Sequence, residues 1–160
     1  MDVPYETVLE RYADLVYRIA VSQTKSLHDA EDIFQDVFVQ LTGHLHELES
    51  EAHLKHWLIR VTINRCKNYH LSFWKRRVAL DAEAGMNRSV PAMQEDPLVS
   101  AVREKLAALP PKLKAVVYLY YYEEYSTEEI AAMLKLPRGT VKSRLYHARR
   151  LLKQELKEVI

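Results

Sequence analysis

Seven Lys or Arg residues and no Asp or Glu lie between Lys135 and Lys153. Cations at that density neutralise phosphates, and a helix with a packed inner face under such a cationic outer face can enter a DNA major groove. A second cationic run comes earlier: residues 52–80 carry seven Lys or Arg and no acid. There Lys55, Arg60, Arg65, Lys67, Lys75, Arg76 and Arg77 are interleaved with Trp57, Tyr69, Phe73 and Trp74 and with the amides Asn64 and Asn68. Aromatic faces and amide edges capture unstacked bases, so this mixture suits single-stranded or opening DNA better than a smooth duplex. The plainer alternative is that Trp57 and Tyr69 are core residues and the charges a solvated helix face.

The formal net charge of +1 hides a segregation of sign. Residues 1–51 carry eleven acidic and three basic side chains, whereas residues 98–160 carry twelve basic and seven acidic ones. Local sign decides which partner a surface attracts. Asp29, Glu31, Asp32 and Asp36 surround an apolar stripe, with Gln35 and Gln40 alongside. Such a rim disfavours DNA and fits a protein-docking face. Helix capping explains Asp29 and Asp32 about as well, because anions are stabilised in a first turn. Asp36 and Gln40 lie beyond that turn and favour docking.

These residues must be positioned by helices. The 160 residues are 48% hydrophobic and include only three glycines, and the apolar positions recur at three- and four-residue spacing rather than alternating. The expectation is an all-α protein of two small helical domains joined by a flexible linker. Val8, Leu9, Tyr12, Leu15, Val16 and Ile19 form one stripe, and Ile33, Phe34, Val37, Phe38 and Leu41 a second. Leu54, Trp57, Leu58 and Val61 begin a third helix that continues through Tyr69. Val99, Val102, Leu106 and Leu109 precede a break at Pro110–Pro111, and Leu113, Val116, Val117 and Tyr120 follow on another helix. Ser126 and Glu129 form a capping box ahead of the apolar face of Ile130, Ala131 and Leu134. Leu136 to Gly139 should then break the chain, through the missing proline amide and the freedom of glycine. Val141, Leu145, Ala148, Leu152, Leu156 and Val159 give the next helix one apolar face under its cations. A helix-turn-helix whose second helix is cationic outside fits a DNA major groove. Residues 78–97 read as the linker; twenty flexible residues span roughly 25 Å and stretch to about 70 Å.

Other chemistries find little to stand on. No glycine-rich phosphate loop, nucleophile elbow or pocketed carboxylate pair is present, so neither a catalytic residue nor a cofactor is expected. His44, His46, His53 and His56 lack the Cys or clustered carboxylates that would complete a metal site. The single cysteine, Cys66, excludes an internal disulfide and reads as a buried thiol. No signal peptide or membrane-spanning run is visible, so the expectation is a cytoplasmic protein without membrane insertion.

Taken together, the run Asp29–Leu41 (DAEDIFQDVFVQL), the run Trp57–Tyr69 (WLIRVTINRCKNY) and the helix-turn-helix resemble a bacterial RNA polymerase sigma factor of the small extracytoplasmic-function (ECF) class. That class keeps the second and fourth sigma domains, here 1–77 and 98–160. The resemblance implies a protein that binds core RNA polymerase, through its β′ and β subunits, and directs promoter-specific transcription initiation. It implies docking on the β′ coiled coil by Asp29, Asp32, Ile33, Gln35, Asp36, Val39 and Gln40. It implies recognition and melting of the minus-ten element by Trp57, Arg60, Asn64, Lys67, Asn68 and Tyr69. Lys142, Ser143, Arg144, Tyr146 and His147 match the helix that reads the minus-thirty-five element, with Arg138 and Thr140 as phosphate contacts at its N-terminus. Arg149, Arg150 and Lys153 are either further backbone contacts or a solvated cationic face. An anti-sigma protein is the implied regulator.

Two positions depart from the family pattern. Tyr120 to Tyr122 replace an arginine that commonly touches the promoter backbone, and His147 stands where an arginine is common. A neutral imidazole weakens the electrostatic attraction and alters base choice. The competing reading is a stand-alone dimeric regulator with an N-terminal sensing domain; such a domain has no reason to carry the basic and aromatic third helix.

Overall fold

The computed structural model describes residues 3–79 and 96–157, with side chains as far as Tyr69 in the first stretch. Seven α-helices run along the described residues, which contain no strand. None of the described helices is long and apolar enough to cross a membrane. The chain divides into two compact units, Met1–Val90 and Pro91–Ile160.

In the first unit α1 (Tyr5–Gln23), α2 (Leu27–His44) and α3 (Glu51–Ala79) each pack on the other two. The apolar stripes meet in the middle: Val8, Leu15, Val16 and Ile19 from α1, Ile33, Val37, Phe38 and Leu41 from α2, Leu54, Leu58 and Ile59 from α3 are all buried. Serines start two of the helices, as expected of a short side chain that can satisfy a free amide. Ser26 Oγ accepts from the Asp29 amide at 3.1 Å, and Ser50 Oγ from the His53 amide at 3.1 Å. Across the unit, Arg11 and Tyr12 of α1 both donate to the Glu51 carboxylate at the start of α3. The third helix extends through Ala79, two residues into the predicted linker, while most of that linker, residues 80–95, lies outside the described part.

In the second unit α4 (Pro97–Ala107), α5 (Pro111–Val117) and α6 (Thr127–Leu134) all pack against α7 (Arg138–Lys157). Asp96 caps α4 by accepting from the Leu98 amide at 2.8 Å, and Pro97 occupies the first turn, where its missing amide costs nothing. Because α4 touches α7 along one side, it contributes no buried residue, and Val99, expected in the core, is 51% exposed. The core is built instead from Leu109, Val116, Val117, Leu119, Ile130, Met133, Val141, Leu145 and Ala148. Met133 rather than Leu134 supplies the inner face of α6.

Two local features differ from expectation. The helix predicted to reach Tyr120 is α-helical only to Val117; it then widens into a π-helical turn over Tyr118–Tyr122, closed by the Glu123 amide on the Tyr118 carbonyl at 3.2 Å. The turn of the helix-turn-helix is also shorter than the predicted break. Lys135 takes the left-handed conformation (φ 55°), and the amides of Lys135 and Leu136 both reach the Ala131 carbonyl. The Pro137 carbonyl then accepts from the Thr140 and Val141 amides, so Arg138 and Gly139 already belong to α7. Gly139 is not needed for space, since a Cβ there would meet nothing within 4 Å.

Candidate functional site

The outer strip of α2 is acidic. Asp32, Gln35, Asp36 and Val39, spaced three and four residues apart, are all exposed on one helix face. Val39 is 67% exposed, an apolar side chain left in water amid carboxylates. His28 Nε2 lies 3.6 Å from Asp32 Oδ2, and both groups are exposed. Two predicted members of this face lie elsewhere. Ile33 is in the core, because position 33 falls on the inner stripe with Val37 and Leu41. Asp29 is only 9% exposed, and its carboxylate accepts from the Tyr69 hydroxyl of α3. Gln40 is half-buried at the edge, with its amide oxygen, in the orientation that satisfies both partners, accepting from Arg65 Nε at 3.0 Å.

The outer strip of α3 carries the opposite chemistry. Arg60, Asn64, Lys67 and Asn68 recur at positions that share a face; the last three are exposed and Arg60 is half-buried. No acid occurs on this helix beyond Glu51 at its first position. Trp57, offered both as a base-stacking residue and as core, is 8% exposed and lays its indole against His44, with ring centroids 5.5 Å apart. It packs the helix in place. Tyr69 is half-buried with its hydroxyl turned to Asp29. The side chains of Phe73, Trp74, Lys75, Arg76 and Arg77 lie outside the described part.

On α7 the buried stripe of Val141, Leu145 and Ala148 leaves Lys142, Ser143, Tyr146, His147, Arg149 and Arg150 exposed, with Thr140 and Arg144 half-buried. Tyr146 is 58% exposed, and Arg150 approaches its ring at 6.0 Å from the centroid. The Arg149 guanidinium lies 5.7 Å from the centroids of both Tyr120 and Tyr121, and its Nε donates to the Tyr121 hydroxyl at 2.7 Å. A cation over an aromatic face is attracted by the ring quadrupole and loses little of its hydration. Arg138, by contrast, pairs with Glu128 of α6, both side chains being mostly exposed. Such a pair is weak in water and opens readily to a phosphate. The capping box forms in full: Ser126 Oγ accepts from the Glu129 amide at 3.1 Å, and Glu129 returns a carboxylate to the Ser126 amide at 3.2 Å.

The partnerships Asp29–Tyr69 and Tyr121–Arg149 join residues 40 and 28 positions apart in the chain, beyond the reach of any periodicity signal. The nearest hint of the second was the run of three tyrosines noted as a departure. His53, weighed above as a metal ligand, accepts from the Glu49 amide through Nδ1 at 3.3 Å. Among the described residues no group of three His, Cys, Asp or Glu is gathered as a metal site would require. Cys66 is buried.

These surfaces have relatives. The family description "Sigma-70 region 2" matches residues 8–77, and "Sigma-70, region 4" matches residues 100–152. The ECF RNA polymerase sigma factor SigW of Bacillus subtilis is 26% identical over 173 residues, an alignment covering 97% of this chain and 90% of SigW. The ECF sigma factor SigE of Mycolicibacterium smegmatis is 30% identical over 162 residues, covering 95% of this chain and 61% of SigE. The sigma factor RpoE from Bartonella quintana, crystallised in complex with the anti-sigma factor NepR, shares the fold with a TM-score of 0.71 at 23% identity, over 96% of each chain. The chain belongs to the sigma-70 family of RNA polymerase sigma factors. Within that family it is an extracytoplasmic-function sigma factor, which binds core RNA polymerase and directs promoter-specific transcription initiation.

Proposed function

We propose that residues 1–77 form the module that docks on polymerase and opens the minus-ten element, that residues 98–160 read the minus-thirty-five element, and that 78–97 connect them. The observation that carries this reading is the opposition of two neighbouring helix faces in the first unit: the acidic strip Asp32, Gln35, Asp36 and Val39 on α2, and the cationic, amide-bearing strip Arg60, Asn64, Lys67 and Asn68 on α3. An acidic face with an exposed valine offers polymerase both charge complementarity and an apolar anchor while repelling DNA. The facing chemistry on α3 attracts phosphates and supplies amide edges to bases leaving the stack.

In the second unit Lys142, Ser143, Arg144, Tyr146 and His147 enter the major groove, and Arg138, Thr140, Arg149 and Arg150 hold the phosphates that set their register. Polymerase performs the chemistry, so this chain needs no catalytic group of its own; it selects the start site. Its place of work is the cytoplasm, where polymerase and chromosome are. An anti-sigma protein that covers one or both surfaces is the fitting regulator, as NepR is seen bound to the related RpoE.

Size-exclusion chromatography with core RNA polymerase tests the reading. The free protein is expected to elute as a monomer and to shift into a one-to-one complex that gains promoter-directed run-off transcription. A free dimer that ignores polymerase and binds a palindromic site would replace the sigma reading with that of a conventional regulator.

A further inference from the structure

Asp29 stands in the docking segment by sequence, yet the residue is only 9% exposed and its carboxylate accepts from Tyr69 of the helix assigned to DNA above. A covered charge has little to offer a protein arriving from solvent, and Asp32 and Asp36 one and two turns along already present theirs. The backbone around Asp29 is fixed as well. Its own amide donates to Ser26 Oγ at 3.1 Å, which locks the first turn of α2, and α2 packs on both other helices of the unit. The Asp29 carboxylate is therefore a rigid anchor point, and the group it anchors is the Tyr69 hydroxyl. Hydrogen bonds to an ionised acceptor are stronger and more directional than neutral ones. The two residues just before Tyr69 on α3, Lys67 and Asn68, are exposed.

We infer that Asp29 is a positioning residue for promoter opening: it holds Tyr69, through the phenol hydroxyl, in the attitude from which the ring and the adjacent Asn68 and Lys67 meet the opening strand. Docking on polymerase then falls to Asp32, Gln35, Asp36 and Val39. This rests on the assignment of α3 to strand opening made above. The bond also joins the first turn of the polymerase-facing helix directly to the DNA-facing one.

The test uses the full chain in holoenzyme with core polymerase, on a promoter fragment obtained by selecting random-sequence duplex DNA for transcription. Tyr69→Phe keeps the ring and removes only the hydroxyl; Asp29→Asn keeps the shape and removes the charge. Each is expected to lower permanganate reactivity of minus-ten thymines by about tenfold, the effect of one hydrogen bond to a charged group. Core affinity should stay within twofold. The double variant should be no worse than the poorer single one, because both remove the same bond. A template already unpaired across the minus-ten region should restore all three, a rescue that general misfolding could not give. Asp29→Asn losing core affinity, or Tyr69→Phe opening promoters normally while Tyr69→Ala fails, would overturn the inference and leave the role of α3 intact. Normal opening by both Asn64→Ala and Tyr69→Ala would remove the role of α3 itself, and the inference with it.

Discussion

The two units secure their polar side chains by partly different means. In the first, side chains of one helix bond those of another: Asp29 to Tyr69, and Glu51 to both Arg11 and Tyr12. In the second, the pairs Arg138–Glu128 and Lys105–Glu155 also join helices, and α7 in addition rests Arg149 over Tyr120 and Tyr121 and Arg150 beside Tyr146. A bond between side chains on two packed helices fixes a direction. Arg149 is directed at one point by its Nε on the Tyr121 hydroxyl, while the ring faces support the rest of its guanidinium without a directional bond. The first arrangement suits capture of a base, where angle matters; the second suits the backbone of a duplex, where a cation must follow sequence-dependent shape.

The contrast can be broken by substitution. The largest effect should come from Lys142→Ala with Arg144→Ala. At about 1–3 kcal/mol for each lost base contact, run-off transcription should fall roughly a hundredfold while core affinity holds. Loss of core binding in that pair would erase the division between the units. Asp32→Ala with Asp36→Ala should do the reverse, weakening core affinity about tenfold, chiefly through slower association and with a reduced salt dependence. Binding to core measured at two salt concentrations checks both parts.

A smaller effect separates the ring from the bond. Arg149→Ala should reduce the slope of log affinity for promoter DNA against log salt by about 1, the signature of one lost phosphate contact. Tyr121→Phe keeps the ring and should cost only about two- to threefold in affinity with the slope unchanged. A slope change in Tyr121→Phe equal to that of Arg149→Ala would mean that the hydroxyl, not the ring face, holds the arginine. Smallest of all, Glu128→Gln should shift the unfolding free energy by less than about 0.5 kcal/mol, because its pair with Arg138 is exposed. A cost several times larger in urea titration would make Arg138 a structural residue and remove it from the phosphate contacts.

Much of this molecule could be read in one dimension wherever the governing interaction spans a helical turn. The stripes of α1, α2 and α7, the capping box at Ser126 and the exposed run of Asn64, Lys67 and Asn68 are of that kind. Val99 is exposed although its periodicity is sound, because α4 packs chiefly on α7 and buries none of its residues. Ile33 was misplaced because docking was assigned to a segment rather than to a face. The site of the sharp turn was drawn to Pro137 and Gly139, the usual breakers, while the left-handed residue is Lys135, a type that carries no such signal. Asp29–Tyr69 and Tyr121–Arg149 depend on which helices pack together, which the chain's local pattern does not state.

The wide turn at Tyr118–Tyr122 has one further consequence. Its closing bond, from the Glu123 amide to the Tyr118 carbonyl, spans five residues, one more than in an α-helix. A single-residue gain or loss inside a regular helix swings everything beyond it by about 100°. Here the extra residue is absorbed within the turn, so the rings of Tyr120 and Tyr121 are brought to Arg149 while α6 starts afresh from its own cap at Ser126.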